Sequence, residues 1–338
     1  MRGTNWVGDA VMSVPALREL RRVLPNAEIT LCTRGWARGI FADTDFLDDI
    51  LIYDRAGNAF ETVRRGAKTW RARKFDLALL LPNSFESALL AWLGSARWRL
   101  GYRTEARSFL LTDALTVPTW KQERHEVFYY LNLIANLETR LTGETQIWQS
   151  APDISINVSD SRKSGAREFL KENGVDPTRQ RIVALCPGST NSRAKRWETE
   201  SYAALADLIA ENSDAVVVLI GSIDELDVSQ EVWAKAKTKP VLLTGKTDLA
   251  QVVAVLSQSD WLVTNDTGPA HIAPAVGVNT IVVFGPTSPL TTRPFSDLAQ
   301  IMVKPPACAP CLLRDCPIDH RCLTAITPHD VYRLIQKN

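Results

Sequence analysis

Short runs of β-branched and aliphatic residues recur along this chain, and stretches of helical periodicity separate them. That alternation constrains the fold more than any other feature. The runs are AEITLCT (27–33), DDILIY (48–53), DLALLL (76–81), RIVALCP (181–187), AVVVLIG (215–221), PVLLTG (240–245), WLVTND (261–266) and TIVVFG (280–285). Between them lie VPALRELRRVLP, SFESALLAWLG, EVFYYLNLIANLETRL, ESYAALADLIAENS and LAQVVAVLSQS. Strands alternating with helices read as α/β layers on parallel sheets. A chain of 338 residues is long enough for two domains. The stretch 143–180 is richer in Ser, Thr, Asp and Pro, carries one strand-like piece (DISINV), and is the natural linker. The expectation is two Rossmann-like, doubly wound domains, 1–155 and 156–338, facing each other across a cleft, with ligands beyond the carboxyl ends of the strands. A first strand should also precede the loop TNWVGD, yet only Met1, Arg2 and Gly3 are available for it. Either the first strand is missing or the start is late. A late start is favoured, because a missing central strand would leave sheet edges unpaired.

Composition narrows the function classes. Hydrophobic residues make up 45% and charged residues 23%, as in ordinary globular enzymes, and the net charge of +1 gives no global drive toward nucleic acid. No apolar run reaches the ~18 residues of a membrane span. The opening MRGTNWVGDAVMSVPALRELRR lacks the order of a signal peptide, so a cytoplasmic protein is expected.

Four loops carry the chemistry. After WLVTN come Asp266, Thr267, Gly268 and then His271, at the start of a helix. The free backbone N–H groups of a helix start hold phosphate, Thr267 adds a hydroxyl, and Gly268 admits close approach. An ordinary N-cap explains the same residues equally well. After RIVALC comes PGSTNSRAKRW, with Ser189, Thr190 and the cations Arg193, Lys195 and Arg196. Two such loops in one domain make a nucleotide diphosphate the better account of both. After AVVVLI, Asp224 or Glu225 stands where an acid accepts ribose hydroxyls, or else caps the next helix. In the first half, Asp9 enters the helix AVMSVPALRELRR facing the cleft, as a general base or as a cap.

NWVGDAVMSVPALRELRR, LPNSFESALL, GYRTEARSFLLT, PGSTNSRAKRW and NDTGPAHIAPAVGVNTIVVFGPTSP together resemble glycosyltransferase family 9, the ADP-heptose:lipopolysaccharide heptosyltransferases, most closely the heptosyltransferase II branch. The resemblance spans nearly the whole chain. It implies a GT-B fold with an N-terminal acceptor domain and a C-terminal nucleotide-sugar domain. It also implies inverting, metal-independent transfer of heptose from ADP-heptose to an inner-core heptose on lipid A, at the inner face of the inner membrane. By position, Asp9 matches the catalytic base, Lys195 the phosphate-side lysine, Ser189 and Thr190 the phosphate-binding hydroxyls, and Glu225 the ribose acid. Asp266, Thr267, Gly268 and His271 match the donor pyrophosphate signature. Asp43-Thr44-Asp45 has the letters of a metal-binding Asp-x-Asp but lies in the acceptor half, and reads as a solvated turn.

Two features remain. Residues 64–74 hold six cations, including Arg64, Arg65 and Lys68, and residues 1–150 hold 20 Lys and Arg against 17 Asp and Glu, an excess of three. Such a patch suits anionic lipid headgroups or a phosphorylated core acceptor, or is simply a solvated helix face. Cys308, Cys311, Cys316 and Cys322 have the spacing C-x2-C-x4-C-x5-C, with His320 among them. This fits a structural zinc or iron site remote in sequence from the chemistry, or four reduced thiols. A related branch that glycosylates autotransporters carries a C-terminal cysteine iron site with different spacing. Rival functions are transfer of another sugar, a protein acceptor, a nucleotide-sugar epimerase, and a non-catalytic sugar-nucleotide-binding scaffold.

Overall fold

The computed structural model describes residues 1–55, 57–190 and 192–336. It divides into two compact units, Met1–Ile154 and Ser155–Asn338. Both are open parallel sheets flanked by helices.

The first unit contains β1 (Thr30–Thr33), β2 (Asp49–Ile52), β3 (Leu77–Leu79), β4 (Trp98–Tyr102) and β5 (Asp113–Leu115). β1 pairs with β2, and β3, β4 and β5 form a second ladder, all parallel. Arg2 joins the two ladders by bridging Cys32 on one side and Leu80 on the other. The Arg2 N–H donates to Leu79 O, and Gly3 N–H to Cys32 O, both at 2.8 Å. In return Cys32 N–H donates to Met1 O at 2.8 Å and Leu81 N–H to Arg2 O at 3.2 Å. The expectation of a truncated first strand is therefore corrected: residues 1–3 themselves occupy the central position and pair both neighbours. The resulting order is β2, β1, residues 1–3, β3, β4, β5. The order reverses between residues 1–3 and β3, so the loop carrying Asp9 leaves the sheet at its topological switch point. Helices Val7–Met12 and Val14–Val23 pack with Glu126–Thr142, whereas Ala59–Arg73 packs with Phe85–Leu93. Trp70, Ala67, Ala88, Leu90 and Ala91 form the contact of the latter pair.

The second unit holds one six-stranded sheet of β6 (Ile182–Cys186), β7 (Val216–Leu219), β8 (Val241–Leu242), β9 (Trp261–Asn265), β10 (Asn279–Phe284) and β11 (Ala299–Val303). Its order is β11-β10-β9-β6-β7-β8, all parallel. Counting from β6, this is the doubly wound order 3-2-1-4-5-6 read from the other edge, and the switch point lies between β6 and β9. Both strands are buried along their whole length, as their unbroken apolar runs demand.

Each of the eight expected runs contains a strand, but β4, β5 and β11 were not expected. WRLGY and AQIMV lack the β-branched enrichment that marks a strand, and β5 is three residues long. The strand expected in DISINV is corrected. The segment is extended, with Ile154, Ile156 and Val158 buried in alternation, but it joins no ladder; Ile156 N–H donates to Ala275 O at 2.8 Å. Among the described residues, no helix is long and apolar enough to cross a membrane.

Candidate active site

In the second unit the two loops at the switch point meet. Asn265, the last residue of β9, is wholly buried and binds in four directions. Its Nδ2 donates to Pro187 O at 2.9 Å and Gly188 O at 3.1 Å, while Oδ1 accepts from Trp197 N–H at 2.9 Å and Tyr202 OH at 3.2 Å. One amide thereby fixes the loop after β6 to the loop after β9. The signal for Asn265 in the sequence is a polar amide ending a strand that is buried throughout.

Lys195 lies beside this junction. Its Nζ donates to Asp266 Oδ2 at 2.7 Å and Asp266 O at 3.2 Å. Thr287 Oγ1, in the loop after β10, donates to the same carboxylate oxygen at 2.7 Å. Asp266 is nearly buried, so its charge is compensated by the ammonium and a hydroxyl rather than by water. An ammonium has three donors, and two are spent here, so one is left for a ligand. Asp266 thus positions Lys195 and does not itself present negative charge to a phosphate.

The helix Gly268–Ala275 starts at the same place. Thr267 is its N-cap, yet no side-chain cap bond forms; the Thr267 hydroxyl instead lies 3.2 Å from Thr264 Oγ1 and donates to Asn265 O at 3.3 Å. The first-turn N–H groups that such a cap would satisfy are those that receive an anion. Pro269 in the first turn removes one donor and pre-sets the helical φ. His271, one turn in, is buried. Ser189 is buried, and its carbonyl accepts from Arg196 Nη2 at 2.9 Å.

Glu225 is also buried, and it joins a capping box: Oε2 accepts from Ser222 N–H at 2.9 Å and Ser222 Oγ at 3.0 Å. Its Oε1 faces the Thr190 hydroxyl at 3.3 Å. A Cβ at Gly188 would stand 2.4 Å from Oε1, so only glycine lets this carboxylate lie against the phosphate loop. The capping reading and the ribose reading therefore share one side chain, with Oε1 the oxygen turned toward Thr190. Asp224 is exposed. Asn191, within the same quoted motif, lies outside the described residues.

In the first unit Asp9 sits in the first turn of the helix Val7–Met12, whose N-cap is Trp6. The capping reading of Asp9 does not hold, because its side chain turns to the helix Glu126–Thr142, where the Tyr130 hydroxyl donates to Asp9 Oδ1 at 2.9 Å. Burial pushes the Asp9 carboxyl up to about 6; the Tyr130 bond and Lys121 pull it down, and Glu126 pushes it up. That value suits a base working near neutral pH. Lys121 pairs with Glu126 and stands 4.3 Å above the Tyr129 ring. Tyr129 stacks on Tyr102 at 4.1 Å and donates to Asn83 Oδ1 at 3.1 Å. Fully buried Arg107 ties LPNSFESALL to GYRTEARSFLLT by donating to Ser84 O at 3.0 Å, Ser87 Oγ at 2.8 Å and Tyr102 O at 2.9 Å. Tyr130 and Arg107 had no signal in the sequence beyond membership of a helix and a motif.

The remaining candidates lie elsewhere. Arg64, Arg65 and Lys68 are exposed on the helix Ala59–Arg73, in a different helix layer from Asp9. Cys308 and Cys311 are exposed, Cys316 and Cys322 partly so, and all four border one small cavity. Among the described residues, no three or more His, Cys, Asp and Glu side chains stand as a ready metal-holding group.

Two parallel-sheet units, one of them presenting an uncapped helix start and a tethered lysine at its switch point, define a protein of the GT-B sugar-nucleotide transferase class. Residues 63–321 match the profile of "Glycosyltransferase family 9 (heptosyltransferase)", and the chain belongs to that family. It is 29% identical to lipopolysaccharide heptosyltransferase 2 of Salmonella typhimurium over 89% of this chain and 86% of that protein. It is 30% identical to lipooligosaccharide heptosyltransferase 2 of Haemophilus influenzae over the same shares. The solved ADP-heptose heptosyltransferase II of E. coli superposes with a TM-score of 0.83 at 26% identity, covering 99% of this chain and 96% of that one.

Proposed function

We propose that this enzyme transfers a heptose from ADP-L-glycero-D-manno-heptose to an inner-core heptose of lipopolysaccharide, with inversion. The observation that carries the reading is the Lys195 ammonium, held by Asp266 and Thr287 beside the uncapped start of the helix Gly268–Ala275. A leaving nucleoside diphosphate gathers negative charge on its outer phosphate, and fixed donors aimed there lower the barrier. Lys195 supplies a full charge, and the backbone N–H groups at Thr267 and Gly268 supply the helix-start potential. Ser189, Thr190 and His271 complete the diphosphate pocket, and Glu225 Oε1 receives a ribose hydroxyl. This positive set serves the leaving group with no divalent ion at the diphosphate, and added magnesium or manganese is expected to leave turnover unchanged.

Asp9 takes the proton of the acceptor hydroxyl as that oxygen forms its bond to the anomeric carbon and the bond from that carbon to the diphosphate breaks. Its raised pKa makes it a stronger base than an exposed carboxylate. The acceptor is a lipid A–inner-core molecule, and the protein works at the cytoplasmic face of the inner membrane, where Arg64, Arg65 and Lys68 meet anionic headgroups. Nothing in this scheme involves nucleic acid.

The test is Asp9→Asn. Transfer is expected to fall by ~10²–10⁴-fold, with ADP-heptose affinity unchanged. An undiminished rate would remove Asp9 as the base, and a lost donor affinity would make it a donor ligand instead.

A further inference from the structure

We infer that Cys308, Cys311, Cys316 and Cys322, together with His320, form a binding site for a thiophilic divalent transition-metal ion, and that this ion holds in place the loop that carries Lys195. The second half of the inference rests on the donor-binding role proposed for Lys195; the first half does not.

Three observations support it. All four sulfurs and His320 border one cavity, whose wall also includes Ala194 and Pro286. The His320 Nε2 is buried and has no hydrogen-bond partner. Two disulfides would consume the four thiols and leave that nitrogen unsatisfied, whereas a soft cation taking four of the five donors can use it. In addition, from the end of β11 at Val303 to the helix Arg321–Thr324 the chain forms no helix or strand, and Leu312, Leu313 and Ile318 are 71%, 45% and 59% exposed. A segment of this length without a core of its own needs a cross-link to hold one shape. As placed, the sulfurs border the cavity without converging. Cys308 and Cys311 are exposed and must turn inward to ligate. Each cysteine that ligates releases its S–H proton to solvent.

The segment is remote from the chemistry in sequence but not in space. Ala194 N–H donates to Arg314 O at 2.9 Å, Ser192 Oγ to the same oxygen at 3.1 Å, and Arg193 Nε to Asp315 Oδ1 at 2.8 Å. The next residue is Lys195. On the other side Leu312 N–H donates to Pro286 O at 2.9 Å, and the following residue is Thr287. A Cβ at Gly285 would lie 3.3 Å from Cys322 Sγ, so the two chains are in close contact there. Both partners of Asp266, Lys195 and Thr287, are thus neighbours of residues bonded to the cysteine segment.

The test begins with the full-length protein purified anaerobically with reductant, gel-filtered through weak chelator, and assayed for zinc and iron by mass spectrometry. About one ion per chain is expected. Protein stripped of metal and titrated with cobalt(II) should develop thiolate-to-cobalt absorption, and this should be lost in Cys308→Ser and Cys316→Ser. Calorimetry with ADP should show roughly tenfold weaker binding to the stripped protein than to the loaded one, a difference of about 1.4 kcal/mol. If a cysteine variant does not fold, metal content and the cobalt spectrum of the unaltered chain still decide the matter. Less than a tenth of an ion per chain with no cobalt absorption, or two disulfides by intact mass, would overturn the site. Equal ADP affinity of loaded and stripped protein would overturn the coupling alone. If loaded protein binds no ADP, the donor-binding reading fails while the metal site stands.

Discussion

Tyr130→Phe should move the acid limb of the pH–rate profile upward without lowering the plateau. The Tyr130 hydroxyl is 2.9 Å from Asp9 Oδ1 and stabilises the ionised carboxylate. Burial raises the Asp9 pKa and this bond restrains the rise, leaving it at about 6. The other groups acting on Asp9 are Glu126, which raises the value, and Lys121, which lowers it; the substitution leaves both in place. A hydrogen bond to a charged group contributes ~1.5–3 kcal/mol, and one pKa unit is about 1.36 kcal/mol. Asp9 is mostly but not wholly buried, so water recovers part of the loss and about one unit remains. The limb should therefore shift from about 6 to about 7. At pH 6.5 the ionised fraction then falls from about three quarters to about one quarter, a roughly threefold loss in kcat/KM, whereas at pH 8 the loss is under ~10%. The assay is kcat/KM from pH 5.5 to 8.5, with donor affinity followed in parallel. A limb that stays in place, or a loss of equal size at every pH, would refute the role of Tyr130 in setting the base.

Asp9→Asn should stabilise the protein at pH 7.5 while slowing transfer by ~10²–10⁴-fold. The folded carboxyl titrates at about 6 against an ordinary 3.8, so the native state binds the proton more tightly than the unfolded state. Stability is then greatest below the unfolded value and falls as pH rises through about 6. Removing the charge should recover about 1–2 kcal/mol at pH 7.5 and almost nothing at pH 3.5, after allowing for partial exposure. Urea titration at the two pH values checks this, and a less stable variant at pH 7.5 would contradict it. Gly188→Ala should cost about 1–3 kcal/mol and weaken nucleotide binding, because the added Cβ forces the Glu225 carboxylate out of its capping box. Unchanged melting and unchanged ADP affinity in that variant would show that the carboxylate moves without consequence.

Much of the fold could be read in the sequence, because buried parallel strands are written as continuous apolar runs. β6, β9 and β10 are buried almost throughout, and their sequences say so. Edge and short strands carry less signal, which is why β5 and β11 went unread. Residues 1–3 hold the centre of their sheet by backbone bonds, which no side-chain pattern reports. The loops at the switch points were legible because glycine, hydroxyl and cation cluster there in sequence. The groups that tune them were not. Tyr130 lies 121 positions from Asp9, and the partners of Asn265 lie 63 to 78 positions away. Such pairings are made by topology, not by spacing. The contact between residues 192–194 and the cysteine segment belongs to the same kind, at separations of about 120 positions.

The enzyme is defined by which sugar it moves, from which nucleotide and to which acceptor. The direct measurement offers the purified enzyme a panel of ADP- and UDP-sugars together with lipid A–inner-core acceptor lacking its second heptose, and weighs the products by mass spectrometry. The expected product carries a mass gain of one heptose, from ADP-heptose alone, with inverted anomeric configuration by NMR. Efficient transfer from a UDP-sugar, or no product from ADP-heptose with any inner-core acceptor, would contradict that expectation.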